Sequence, residues 1–313
     1  MPTTHELRAA PETVHWGYFD PAATPAITVK PGDRVTLDSV SGDEKMTPET
    51  GFEVMPAHRE ILAKVTKRMV PGHCLTGPVA IEGAEPGDAL EVRIVDVRLP
   101  VDWGWNVVRP LAGALPHDFD ETRRMTIPLD RDRHVGTLPW GLELPLRPFF
   151  GVMGVAPPPN WGVCTSIIPR AFGGNLDNKE LTVGATLFLP VFVEGALFSA
   201  GDGHAVQGDG EVCVTAIECC LAGTFEFHLH KQTGITWPRA ETPEHHITMG
   251  IDEDLDDAAK QALREMIKLI TSRTNLTRED AYTLCSLAAD MRITQLVNQA
   301  KGVHCVLPKA YLR

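Results

Sequence analysis

Two stretches of this chain share one device that constrains the fold more than any other feature. Ile27-Thr28-Val29 runs into Lys30-Pro31-Gly32-Asp33 and out through Arg34-Val35-Thr36-Leu37-Asp38. Val79-Ala80-Ile81-Glu82 runs into Glu85-Pro86-Gly87-Asp88 and out through Leu90-Glu91-Val92-Arg93-Ile94-Val95. Each reads as strand, Pro-Gly-Asp turn, alternating strand. Proline presets φ, and glycine supplies the positive φ of a tight turn. A third β-rich stretch runs from Ala185 to Lys231, where Phe225, Phe227 and Leu229 alternate with Glu226, His228 and His230 as in a half-buried strand. Helical periodicity comes late. Leu255, Ala259, Ala262, Met266 and Ile270 form one apolar face. Asp256 and Asp257 sit where a helix dipole favours acid, and Thr277 is placed to cap a second helix through Ala289. Strands first and helices last predict a mainly β fold with an α+β C-terminal part, not a Rossmann-type alternation. The expected division is a β-rich sandwich or barrel over residues 1–240, with long insertions near 40–60 and 100–145, and an α+β segment over 241–313 packed on it.

Composition narrows the partners. The 313 residues are 43% apolar, enough for a packed core, and the net charge is -12. Such an acidic surface repels phosphate backbones and anionic lipid, so neither nucleic acid nor membrane is an expected partner. No apolar run reaches the roughly 18 residues of a membrane span. The stretch from Met1 to Trp16 has no apolar core of signal-peptide length. The seven cysteines contain no C-x-x-C pair, and the adjacent Cys219 and Cys220 suit neither a bridge framework nor a zinc knuckle. Thiols used this way point to a reducing compartment, the cytoplasm.

The densest polar cluster is Gly201-Asp202-Gly203-His204-Ala205-Val206-Gln207-Gly208-Asp209-Gly210-Glu211, read as a glycine-rich loop between the apolar run Leu187–Phe198 and a strand Val212–Ile217. Asp202 and His204 are two apart, so in extended backbone they point the same way, at chelate spacing for a divalent metal. The competing reading is a hairpin whose acids cap turns. Gly173-Gly174-Asn175-Leu176-Asp177-Asn178 is a paired-glycine turn carrying polar side chains. His73, in Gly72-His73-Cys74-Leu75, is either a ligand or acid/base group or a solvated loop histidine. Glu226, His228 and His230 share a strand face, which reads better as a solvated or interface surface than as a metal site. Asp252, Asp254 and Asp256 imitate a calcium loop, but Asp257 and Leu263 stand where it needs Gly and Glu, so a helix start suffices. No G-x-S-x-G elbow and no Walker A loop occurs, and no cysteine carries a catalytic signature.

Taken in order, these blocks resemble the acetamidase/formamidase family from about Val14 to Leu312. The opening Val14-His15-Trp16-Gly17-Tyr18-Phe19-Asp20, then Leu75-Thr76-Gly77-Pro78 and Phe149-Phe150-Gly151-Val152-Met153-Gly154, are similar to the family's blocks. So are Gly173-Gly174-Asn175-Leu176-Asp177, Gly195-Ala196-Leu197-Phe198 and the Asp202–Glu211 stretch. The resemblance implies a CUB-like or jelly-roll-like β-sandwich and a homo-oligomer, a dimer or multiple of dimers. It also implies hydrolysis of a small linear amide, of the acetamide or formamide class, to carboxylate and ammonia. With no serine or cysteine nucleophile motif, a metal-activated water is the simplest route. The assignment that follows makes Asp202, His204 and Asp177 metal ligands with His73 a fourth, and zinc the metal with calcium the alternative. Glu211 is the general base, Asp209 its rival, and Asn175 the donor to the oxyanion. His15, Glu85, Glu226, His228 and His230 are left without a role. The alternatives are a hydrolase of another C–N bond, such as a cyclic amide, at the same site, or a non-catalytic sandwich module that binds a small ligand or metal.

Overall fold

The computed structural model describes residues 2–312 and is mainly β, built on two large sheets. The first has nine strands, in spatial order Thr4–Leu7, Arg34–Ser39, Leu221–His230, Ala89–Arg98, Thr186–Pro190, Arg239–Glu241, His245–Asp252, Lys301–Pro308 and Asp290–Gln295. The main path of the second is Glu143–Pro145, Val135–Thr137, Arg123–Asp130, Trp103–Val108, Ile217–Cys219, Phe198–Val206, Phe149–Gly154 and Gly173–Asn175. Cys74–Ile81 also pairs with Phe198–Val206 and brings Val14–Trp16 and Ile27–Val29 with it. The inner faces of the sheets meet in one core. At its centre the Phe198 ring lies 5.6 Å from Phe225 and 5.2 Å from Phe227, and Phe150 lies 5.2 Å from Phe225. Each such edge contact adds roughly 0.5–1.5 kcal/mol beyond area burial.

The two Pro-Gly-Asp turns are the corners of this sandwich. Ile27–Val29 and Cys74–Ile81 belong to the second sheet, and the strands after them, Arg34–Ser39 and Ala89–Arg98, belong to the first. Gly32 and Gly87 take φ of 94° and 96°. In both turns the aspartate folds back on the backbone: Asp33 Oδ2 accepts the Lys30 N–H at 3.1 Å and Asp88 Oδ2 the Glu85 N–H at 2.9 Å.

Two stretches expected as insertions carry regular structure. Within 100–145, Trp103–Val108 and Arg123–Asp130 pair antiparallel and extend the second sheet. Trp103, Val107, Ile127 and Leu129 are buried in strand alternation that the surrounding turn residues disguise. Within 40–60, helix α1 (Pro56–Lys64) begins on a proline and buries only His58 and Ile61, too short an apolar stripe to stand out.

At the C-terminus, α2 (Leu255–Arg273) and α3 (Arg278–Ala288) match the helical pattern, capped by Asp254 and Thr277. The segment expected from 241 onward is continuous with the first sheet, since His245–Asp252 pairs with Arg239–Glu241. Helix α2 rests on Gly250, where an added Cβ would lie 1.8 Å from the Ala258 carbonyl oxygen. Gly250→Ala should therefore force helix and sheet apart and cost about 1–3 kcal/mol. A denaturant midpoint unchanged from wild type would show that the helix can shift without loss.

Candidate metal centre

Three strands and two turns build the polar cluster. The stretch around Asp202 is not a loop: Phe198–Val206 is a central strand. Its glycines are there because the neighbours leave no room. A Cβ at Gly201 would lie 2.4 Å from the Cys74 carbonyl oxygen, and one at Gly203 2.4 Å from that of Cys219. Asp202 has φ of 57°, a conformation aspartate tolerates better than most side chains. It shifts the alternation of the strand. Phe198 and Ala200 face the core before it and Ala205 after it, while Asp202 and His204 meet in the cluster on the other face.

Around His204 the carboxylates converge. Its Nε2 lies 3.3 Å from Asp202 Oδ2, 3.3 Å from Glu218 Oε1 and 3.9 Å from Asp177 Oδ1. Glu218 stands directly across from His204 in the neighbouring strand, so their side chains share a face. Asp177 and Glu211 arrive from turns with φ of 46° and 41°, and both are buried. Asp177, His204 and Glu211 form one group of convergent ligand atoms, and Asp202, His204 and Glu218 a second. Strained backbone at three of the four carboxylates suits a functional site rather than a structural one.

Hydrogen bonds fix which atom of His204 faces the acids. Gln207 Nε2 donates to the Asp177 carbonyl at 2.7 Å, which turns Gln207 Oε1 toward His204 Nδ1 at 2.8 Å. Nδ1 therefore carries the hydrogen. In the neutral ring Nε2 is a bare lone pair among carboxylates, and it is buried without a hydrogen-bond partner, as are Asp177 Oδ1 and Glu211 Oε2. Such a set requires protons or a cation. Without a metal, protons fill the role. Burial, reinforced by Asp177, lifts Glu211 well above the usual carboxylate range. Burial also lifts Asp177, and it raises Glu218 to about 7 against the pull of His204. Burial opposes charge on His204 too, but Glu218 and Asp202 raise its pKa well above the ordinary value. Asp202 goes the other way: burial resists it, yet His73 and His204 hold it below its usual range. The donor set fits a divalent ion, with the Gln207 bond supplying the ring orientation that metal-binding histidines need. Gly151 leaves the space: a Cβ there would lie 2.5 Å from Asp177 Oδ1 and 2.7 Å from Asp202 Oδ2.

The remaining expected residues surround this centre unequally. His73 is at the rim, with Nε2 3.7 Å from Asp202 Oδ2. The Ser166 hydroxyl accepts the His73 backbone N–H at 3.0 Å and lies 3.0 Å from Nδ1. Asn175 is buried nearby, but its amide donates to the Ile167 carbonyl at 3.2 Å, which leaves at most one N–H for an oxyanion. Asp209 is outside the cluster, paired with Lys179 at 2.9 Å. The strand expected over Val212–Ile217 is confined to Ile217–Cys219, so Glu211 sits in a turn. Glu226, His228 and His230 are on the far sheet, in an ion-pair network with Arg34, Arg93 and Glu91. Asn298, which donates to Asp177 Oδ2 at 2.6 Å, and Glu218 had no reading from sequence. The one signal for Glu218 is an acid inside the apolar run Ala216-Ile217-Glu218-Cys219-Cys220-Leu221.

A central sheet strand carries this buried carboxylate–imidazole cluster, which could hold a metal ion, inside a two-sheet sandwich, and comparison with known proteins gives the chain its family. The model of the Acetamidase/Formamidase family matches residues 3–162 and 160–311, and the chain belongs to that family. It is 30% identical over 226 residues to an acetamidase of Mycolicibacterium smegmatis, covering 51% of this chain and 54% of that protein. It is 28% identical over 191 residues to a formamidase of Methylophilus methylotrophus, covering 45% of this chain and 47% of that protein. The alignments thus span about half the length of these relatives. The solved structure of an acetamidase from Bacillus halodurans is similar throughout, with a TM-score of 0.84 and 31% identity over 97% of this chain and 98% of that one. No helix among the described residues is long and apolar enough to cross a membrane.

Proposed function

We propose that this chain is an amidohydrolase that cleaves a small linear amide, of the acetamide or formamide class, to a carboxylate and ammonia with the help of a divalent metal. The observation that carries this reading is the Nε2 of His204, buried without a hydrogen-bond partner among four buried carboxyl groups, in a chain of this family. Imidazole with carboxylates favours zinc, and calcium is the alternative because the other donors are all oxygen. His204, Asp202 and Glu218 would hold the ion, with Asp177 beside them. Once bound, a divalent ion polarises a carbonyl and lowers the pKa of water toward about 7.

The chain supplies the proton traffic. Glu211 is buried against Asp177, and a carboxyl raised in this way is suited to take a proton from water and pass it to the departing nitrogen. Asn298 steadies Asp177, and Gln207 keeps the His204 ring in one tautomer. His73, near the rim, is positioned to orient the amide. The seven cysteines are unbridged, in keeping with a cytoplasmic enzyme. A homo-oligomer, a dimer or multiple of dimers, fits a fold with strand edges to cover.

Ammonia release over a panel of formamide, acetamide and longer amides tests the proposal. Activity should vanish on chelation and return with Zn²⁺; full turnover in protein shown metal-free by elemental analysis would sink it. Zinc affinity should also fall as pH drops through about 7, because Glu218, raised to about 7, and His204, raised well above its ordinary value, both hold protons they must lose to ligate. Calorimetry in buffers of different ionisation enthalpy reads the released protons, and affinity flat between pH 6 and pH 8 would contradict the assignment of Glu218.

A further inference from the structure

A cavity of about 230 Å³ lies beside the strand Phe198–Val206 and is lined by none of the metal-cluster residues. Ser199, three residues before Asp202, forms part of it and is hydrogen-bonded to His15, Nε2 to Oγ at 3.0 Å. Gly77 keeps the hydroxyl clear, since a Cβ there would lie 2.6 Å from Ser199 Oγ. The His15 ring packs 5.4 Å from Tyr18 and 6.1 Å from Phe19, and its Nδ1 is buried without a partner. Burial pushes His15 down to about 4, so this part of the wall is uncharged near neutral pH. Phe19, Pro78 and Leu197 add apolar surface. The charged groups lining the cavity are Glu12, Asp20 and Lys67, and the Lys67 ammonium sits 4.7 Å over the Tyr18 ring.

We propose that this cavity is a second binding site, which takes an uncharged primary carboxamide and rejects the corresponding carboxylate. A neutral hydroxyl–imidazole pair both donates and accepts, as a carboxamide does. It offers no charge to offset the desolvation of an anion. Two acids against one lysine make the lining unfavourable to a carboxylate as well. The smaller apolar part of the lining, from Pro78, Leu197 and Phe19, is where a short alkyl tail would rest. The site would hold an amide next to the strand bearing Asp202 and His204 without involving the metal. The inference comes from the chemistry of this cavity, so it can fail while the proposed activity stands, and the reverse.

Butyramide and butyrate are the probes, titrated by NMR into metal-stripped protein and into the Glu211→Gln variant, so that turnover does not consume the amide. Saturable butyramide binding is expected in both, with Kd on the order of millimolar for so small a ligand, and butyrate should bind at least about tenfold more weakly. Ser199→Val should weaken butyramide binding about tenfold or more. Thr24→Trp, at an exposed position in the cavity lining, should do the same with no change in melting temperature. Absence of saturable butyramide binding, equal binding of butyrate, or undiminished binding in Thr24→Trp would each overturn the proposal.

Discussion

Gly151→Ala should give a folded protein that no longer retains its metal. Gly151 is not among the glycines with positive φ, so its backbone accepts alanine, and the conflict is confined to the cluster. The new methyl would lie 2.5 Å from Asp177 Oδ1, 2.7 Å from Asp202 Oδ2 and 2.8 Å from His204 Cε1. Each contact is shorter than real Cβ atoms make, so the proposed ligand atoms must move. A displacement near 1 Å is enough to undo such a site. Metal content should fall to near zero and amide turnover by about 10²-fold or more. The melting temperature should match that of metal-stripped wild type. Normal metal content with normal turnover would show that the ion sits elsewhere.

The second large effect concerns Glu211. Glu211→Gln should keep the fold and most of the metal yet lose about 10²-fold or more in turnover. Its position is firm although it lies in a turn: the Gly210 N–H donates to Thr294 and the Gly210 carbonyl accepts from Leu296, both at 3.0 Å. Asp209→Asn should cost much less, because Asp209 is exposed and engaged with Lys179 instead of the cluster. Turnover and melting temperature measured on both variants separate the roles. A stable, metal-loaded Glu211→Gln enzyme with near-normal turnover would remove Glu211 from the chemistry.

What the sequence made legible was local. Asp202 and His204 could be paired because a period of two puts both on one side of a strand. The turns at Pro31 and Pro86 and the stripe of α2 were likewise written within a few residues. Glu218 escaped because its relation to His204 is a strand register, and no spacing along the chain encodes a register. Asn298 lies 121 residues from the carboxylate it steadies. The strands at Trp103–Val108 and Arg123–Asp130 were hidden by turn residues around them, and Val212–Ile217 looked regular where Val214 in fact has φ of 77°. Local chemistry marked the cluster; only the fold could complete it.

The shift of alternation at Asp202 has a consequence for how such a site can change over generations. One side chain both supplies a carboxylate and decides which neighbours point into the sandwich. A substitution that favours ordinary extended backbone would disturb the strand between Gly201 and Gly203, which run so close to Cys74 and Cys219 that not even a Cβ fits. Asparagine tolerates the same backbone without the charge. Drift at this position is therefore channelled: the chain can trade away its chemistry by one conservative step and keep its architecture, whereas most other replacements put both at risk together.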